Sequence, residues 1–598
     1  MNAGTGDRVA EAFERDGFVV AEQVERSGSR GVLARSRADP ERTALYLEGD
    51  AYTQGYLTGL LAAPYVERMA GEYVDNVIPA FISGRTPRSR SMRRLKRLLA
   101  DLLRENCMRV YDRHPGDVPQ EYLDEMEGIA AGCRAVSPGT RVSFDELFLM
   151  NLGIDFLLAY VYTGVAGAGW LRNGRPWPGG VRGLAAGALL GARPAHLRVP
   201  LGCNAFWIGP ELAEGRAGFL GRDFMFPNAG VFQDTSCLMV RVPRGEAQPT
   251  VSVSAPGMVG AATVMNARGL ALGVNMVAGA WCDPHRPGLN SLLLIRSVAE
   301  RARGLEHALG LIEEAPRGVA WLYVLADAAS GSAAVVEAGA RDAASPGIAA
   351  VRGRYRRVLE RSGVGAIPAP PRGFAVRRPG DSRPPVPAAA NRALFAAALK
   401  AYDPAAQEPE GRFHVGGSAP WRARVLPGPL HFPPPRIEEP RILAAANQYL
   451  TAAMRVSSMA GWVSRISASR EDDFQWRYDE LCSKLRGAAA RSGRISVDEA
   501  RELIDFLSPR GSWPAYYERS VVDARGPRIE GAVALCDLGQ RRMHAYFGWY
   551  DGCWLRLSLP AYLPRSLSER APAPRRIAGR SGRAPRSERR RRGSASPA

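Results

Sequence analysis

The chain has 598 residues, 46% of them hydrophobic and 23% charged, which is long enough for more than one core and ordinary for a globular protein. Its net charge of +19 suggests a nucleic-acid partner. Residues 565–598, however, carry eleven arginines against two acidic residues, a net of +9 in a Ser/Pro/Gly/Ala-rich tail, so the excess does not mark a basic domain.

Residues 1–19 are charged throughout and lack a signal-peptide core, and the longest apolar run, residues 156–171, is short for a membrane span. A cytoplasmic location is the expectation. The eight cysteines show no CxxC spacing and no Cys/His cluster, so no metal or other cofactor is implied.

Residues 1–202 read as mainly helical, a prodomain and connector. Residues 66–80, 95–111 and 121–134 have apolar positions at three- and four-residue spacing. Ser143 and Glu146 form a capping-box pattern, and the apolar run after it reads as a buried helix. Residues 85–97 are strongly basic and read as a solvated helix face. Residues 172–200 are a Gly/Pro/Arg-rich connector. Strand patterns begin at Phe206-Trp207-Ile208 and recur through residues 203–341, with an amphipathic helix near residues 292–314. Residues 342–440 are crowded with Pro, Arg and Ala and read as a partly disordered insertion. Order resumes over residues 441–563, with helices near 472–490 and 497–506 and strands after 531. Residues 564–598 read as a disordered basic tail.

Cys203 carries the chemistry. It follows Gly202 and opens the strand pattern Cys203-Asn204-Ala205-Phe206. A thiol reacts as thiolate, and its unperturbed pKa is about 8.5. Cleavage of the Gly202–Cys203 bond would leave Cys203 with its own α-amine as base, of pKa about 8. Gly202 suits that step because it tolerates a strained backbone and leaves the carbonyl uncrowded. A hairpin centred near residue 213 sets Cys203 opposite Arg222 and Asp223. There Arg222 can hold a thiolate and Asp223 an ammonium group. The alternative is an ordinary Arg-Asp pair closing a hairpin.

The stretch from Cys203 to Gly221-Arg222-Asp223-Phe224-Met225 resembles the start of the mature chain in cysteine N-terminal-nucleophile (Ntn) hydrolases. The penicillin acyltransferase-like enzymes are nearest in pattern, with choloylglycine hydrolases and acid ceramidases more distant. The family's Gly-Arg-Asn-x-Asp keeps its Arg here, while Asp223 replaces the Asn and Met225 the Asp. Residues 265–275 are similar to the family's strand ending in an oxyanion-hole Asn, which falls on Asn275. Ala446-Asn447-Gln448-Tyr449 resembles the family's Thr-Asn-His-Phe segment, giving Asn447 the second Asn role, with Gln448 in place of the His. Trp476-Arg477-Tyr478 resembles its second Arg segment.

The resemblance implies an α+β fold, the four-layer αββα sandwich of Ntn hydrolases with a helical N-terminal prodomain. It also implies a self-processing amidohydrolase or acyltransferase using Cys203, Arg222, Asp223, Asn275, Asn447 and Arg477, cut between Gly202 and Cys203. The expected partner is a small-molecule or lipid acyl substrate. No specific nucleic acid is expected, although the tail can touch a polyanion or membrane surface weakly. The cleaved fragments are expected to stay together. Taken singly, Asn275 can end a strand in a turn, Asn447 can be an ordinary helix position, and Arg477 can pair with Asp473 or Glu480. His285 and His544 read as structural. A lipid acyl-ester hydrolase, with Phe224, Met225, Phe226 and Trp281 as its greasy contacts, and a non-catalytic binding relative are the competing readings.

Overall fold

The computed structural model describes residues 7–73, 103–171, 202–226, 231–342, 363–381, 439–457, 473–491, 493–505, 530–547 and 553–564, with isolated positions between them and without 278 and 280. The basic segment 85–97, the connector 172–200, most of the insertion and the tail lie outside these residues.

Cys203 lies on β4 (Gly202–Ile208), which returns antiparallel as β5 (Phe219–Phe226). The turn between them contains Gly215 at φ 78° and Arg216 at φ 60°, and it sets Cys203 opposite Phe224. The pairing is one residue off the expected register. Arg222 therefore stands opposite Ala205, and Asp223 opposite Asn204. The difference matters because neighbouring residues of a strand point to opposite faces. Arg222 shares a face with Cys203, and Asp223 lies on the other.

Four more strands complete a six-stranded sheet in the order β13-β4-β5-β14-β15-β16. They are β13 (Ile442–Ala445), β14 (Glu530–Asp537), β15 (Arg542–Phe547) and β16 (Leu555–Ser558). A ten-stranded sheet packs across β4 and β5. Its first strands are β1 (Phe18–Arg26), β2 (Ser29–Ser36) and β3 (Thr43–Gly49). They are followed by β6 (Cys237–Pro243), β7 (Thr250–Ser254), β8 (Thr263–Asn266) and β9 (Leu270–Met276). The last three are β10 (Trp321–Asp327), β11 (Ser332–Ala338) and β12 (Phe374–Arg377).

The longer helices are α1 (Arg8–Arg15), α2 (Ala51–Glu72), α3 (Gln120–Val136), α4 (Phe144–Leu171), α5 (Ser291–Arg301), α6 (Leu305–Glu314), α7 (Asp473–Ala490) and α8 (Val497–Asp505). Helices α7 and α8 cover the outer face of the six-stranded sheet, and α5 and α6 pack against β8–β11 of the other. The layer order is helix, sheet, sheet, helix, an α+β sandwich. Its inter-sheet core includes Cys203, Ala205, Trp207, Phe224, Leu270, Leu272 and Val324. The second core, under α7 and α8, includes Phe206, Ile208, Phe219, Tyr478, Leu481 and Leu485.

Two stretches differ from the sequence reading. Residues 1–202 were expected to be mainly helical, yet β1–β3 lie within them and β3 pairs parallel with β6. The exposed pattern along β1 hides the usual alternation, and the parallel pairing joins segments nearly two hundred residues apart. Inside the supposed insertion, residues 374–377 form β12 on the edge of the large sheet. Its Phe-Ala-Val-Arg run is flanked by proline-rich sequence that masks a short edge strand.

Ser143 and Glu146 exchange the two hydrogen bonds of a capping box at the start of α4. Helices α2 and α3 meet backbone to backbone. A Cβ on Gly55 or Gly128 would come within 2.0 or 2.1 Å of a carbonyl oxygen of the facing helix, and Gly59 and Gly132 are almost as tight. Among the described residues no helix is long and apolar enough to cross a membrane.

Candidate active site

Strand β13 ends at Ala445, opposite Ala205 of β4. Continuing that register by two residues sets Asn447 opposite Cys203. There the Asn447 side chain replaces a strand partner, and its Oδ1 accepts the Cys203 N–H at 2.8 Å. Asn447 Nδ2 donates to Met276 O at 2.7 Å, which fixes the amide so that its oxygen faces Cys203. Arg477, in the first turns of α7, donates from Nη1 to Cys203 O at 3.0 Å and to Asn204 Oδ1 at 2.7 Å. Its Nη2 donates to Asn447 Oδ1 at 2.9 Å. The main chain of Cys203 is thus gripped at both N and O by side chains 244 and 274 residues away.

On the inter-sheet face, the Cys203 thiol is buried, 1% exposed, with Sγ 3.9 Å from Met225 O. Arg222 shares that face and is fully buried between the Phe224 ring, 4.5 Å from its guanidinium carbon, and Gly273 of β9. A Cβ on Gly273 would stand 3.1 Å from Arg222 Cγ, so the glycine makes room for the arginine. Burial pulls the Arg222 pKa down to about 10, opposed by the charges of Cys203 and Asp223. Asn275, two residues along β9 from Gly273, falls on the same face of its strand and so looks into the inter-sheet space. It is fully buried, and neither its Oδ1 nor its Nδ2 has a hydrogen-bond partner among the described residues.

Asp223 stands elsewhere than the sequence reading set it. Its two oxygens accept from the Asn204 main-chain N–H and from Asn204 Nδ2, the latter at 2.8 Å. It makes no described bond to Cys203. Burial pushes its pKa up to about 7 against the pull of Asn204, Arg477 and Arg222. Met225 is buried opposite Gly202. Gln448 is buried, and its main-chain N–H donates to Ala446 O.

Cys203, Arg222, Asn447 and Arg477 therefore come together, Asn275 faces the same inter-sheet layer, and Asp223 sits behind it. His285 is exposed. His544 is buried, its pKa pushed down to about 3 by burial and by Arg501, Arg542 and Arg556, and it holds no place beside Cys203. Trp281 packs its ring against Gly339 and Gly373 in the core, and the Phe226 side chain lies outside the described residues.

Sequence reading missed Asn204, which links Asp223 to Arg477. It also missed Glu337 and Arg377. This buried pair bonds at 3.0 Å, and Glu337 accepts from the N–H groups of Leu450 and Thr451, anchoring the loop after Asn447. A buried Glu in the strand Ala333-Ala334-Val335-Val336-Glu337 was the available signal. Among the described residues no cluster of His, Cys, Asp or Glu could hold a metal ion.

Comparison with known proteins gives likenesses of three kinds. Residues 233–355 match the family described as acyl-coenzyme A:6-aminopenicillanic acid acyl-transferase. An uncharacterized protein of Archaeoglobus fulgidus is 26% identical over 530 residues, 88% of this chain and 67% of its own length. A mutant form of the conjugated bile acid hydrolase from Clostridium perfringens aligns over 59% of this chain and 92% of its own, with a TM-score of 0.29 and 11% identity. The acyl-transferase match runs from just before β6 to beyond β11, so the stretch that carries Gly273 and Asn275 is the part of the chain similar to that family.

Proposed function

We propose that the chain is a self-processing cysteine Ntn hydrolase or acyltransferase that acts on an acyl amide or thioester through an acyl-enzyme on Cys203. The observation that carries this is the grip of Asn447 and Arg477 on the two main-chain polar atoms of Cys203. A cysteine serving only as a buried hydrophobe needs neither, because strand ladders satisfy its backbone. An α-amine freed at Cys203 would find Asn447 Oδ1 already in place as acceptor.

In self-cleavage the Cys203 sulfur attacks the Gly202 carbonyl. The C–N bond to Cys203 breaks, its nitrogen takes a proton, and a thioester remains. Water then releases the Gly202 carboxylate and frees the thiol and α-amine. In turnover the thiol gives its proton to the α-amine and attacks the acyl carbonyl. The amine protonates the leaving group, and the acyl thioester passes to water or to an acceptor amine. Arg222 beside the thiol favours the thiolate. Asn275 supplies an N–H for the charge that develops on the attacked carbonyl oxygen.

The two fragments stay together in this reading, because β1–β3 belong to the same sheet as β6–β12 and Asp155 of α4 accepts hydrogen bonds from Ser291 and Trp321. The test is to express wild type and Cys203→Ala in parallel and follow chain length and hydrolysis of a panel of acyl amides. Two fragments and turnover in wild type, with one inert chain in the variant, support the reading. Equal behaviour of the two proteins overturns it.

A further inference from the structure

Directly behind Cys203, on the opposite face of the six-stranded sheet, Asn204 and Asp223 form a cross-strand pair, and both are fully buried. Its hydrogen bonds run one way. Asp223 as carboxylate can only accept, and it accepts from both donor nitrogens of Asn204, the main-chain N and Nδ2. With Nδ2 committed there, Asn204 Oδ1 must point away from Asp223, where it accepts from Arg477 Nη1 at 2.7 Å. That same nitrogen reaches Cys203 O at 3.0 Å, and Nη2 reaches the Asn447 oxygen that holds Cys203 N. The orientation of the clamp thus traces back to the carboxyl group at position 223. An amide there would set an NH2 against one of the two Asn204 donors and leave a buried donor unmatched.

We propose that Asn204 and Asp223 are positioning residues that orient Arg477, and through it Asn447, on the main chain of Cys203. The proposal rests on the reading of Cys203 as a self-processing nucleophile. It gives a carboxylate a place in the site although Met225 fills the position where the resemblance expects one. Its action is indirect, since both Asp223 oxygens are engaged by Asn204. The charges around Asp223 agree with this arrangement: Arg477 reaches over from α7 and Arg222 adjoins it on β5, and both favour the carboxylate against burial.

The test uses the full chain as wild type, Asp223→Asn, Asn204→Asp and the double variant Asp223→Asn with Asn204→Asp. The double variant matches every donor again. The main-chain N–H of position 204 meets the amide oxygen at 223, the amide nitrogen at 223 meets the carboxylate at 204, and that carboxylate accepts from Arg477. Two readouts are taken, the rate at which a fragment beginning at Cys203 appears and the urea midpoint. Each single variant is expected to slow cleavage roughly tenfold or more, as for loss of one buried hydrogen bond to a charged group. The double variant is expected to recover to within about threefold of wild type, with midpoints that are likewise non-additive. Losses that simply add in the double variant overturn the proposal.

If the double variant does not fold, Asn204→Ser decides. It keeps the main-chain donor to Asp223 but removes both the Nδ2 bond to that carboxyl and the link to Arg477. Cleavage slowed roughly tenfold or more under conditions where the variant remains folded supports the proposal, and wild-type cleavage overturns it. An uncut wild type refutes the self-processing reading instead. The pair is then judged on the midpoint cycle alone, where coupling supports its one-way polarity and additivity overturns it.

Discussion

Replacing Asn275 by Leu separates a catalytic amide from a structural one, because the two readings predict opposite signs for stability. Asn and Leu share a branched shape, so the change leaves little cavity. Asn275 is fully buried, and both its polar side-chain atoms lack a described partner. Leaving a buried donor or acceptor unmatched costs about 1–3 kcal/mol. Asn275→Leu removes two such atoms and adds apolar contact, so stability is expected to rise by roughly 1–3 kcal/mol. The same change removes the donor proposed for the developing oxyanion, a loss of about 100- to 1,000-fold in kcat. Urea unfolding and turnover of an acyl amide, measured on one preparation, supply both numbers. A fall in stability that parallels the loss of activity would mean instead that Asn275 holds the fold and would rule out the catalytic role.

Three further outcomes follow from the same structure. Gly273→Ala places a methyl 3.1–3.3 Å from three atoms of Arg222, which cannot retreat because Phe224 backs it; overpacking of about 1–3 kcal/mol is expected, and activity should fall by more than the urea midpoint alone explains. Asp155 is buried against Ser291 and Trp321, and burial raises its pKa to about 7 despite their hydrogen bonds. A raised carboxyl binds its proton more tightly when folded, so its contribution is full below about pH 4 and is lost as pH rises through 7; the decline in unfolding free energy between pH 5 and 8 should be shallower in Asp155→Asn. After cleavage the fragments before and from Cys203 should co-elute on gel filtration in native buffer and separate only in denaturant, because β3 pairs with β6 along seven residues.

The parts of this fold that could be read from sequence are those whose signal is local. The capping box at Ser143, the helix at residues 120–136 and the hairpin beginning at Cys203 all show in spacing and turn residues. The hairpin also shows the limit of such reading. Its turn holds one residue more than a symmetric centre at 213 allows. That shift moves Asp223 off the thiol face and brings Arg222 onto it. The resemblance pointed to Asn447 and Arg477, but their bonds to Cys203 span hundreds of residues and depend on β13 stopping at Ala445. Asn204 escaped notice because nothing local distinguishes a buried strand Asn, and its importance arises only from the Asp223 and Arg477 side chains on either side. Gly55, Gly59, Gly128 and Gly132 carry a four-residue spacing that sequence shows plainly, and the contact between α2 and α3 explains it.

In the proposed function Cys203 becomes the first residue of a chain. Intact-mass measurement of the purified protein under denaturing conditions tests it directly. Two species are expected whose masses sum to the full chain plus one water, the larger beginning at Cys203, with a single uncut species in Cys203→Ala. One full-length mass for the freshly folded wild type, unchanged on prolonged incubation, would contradict it.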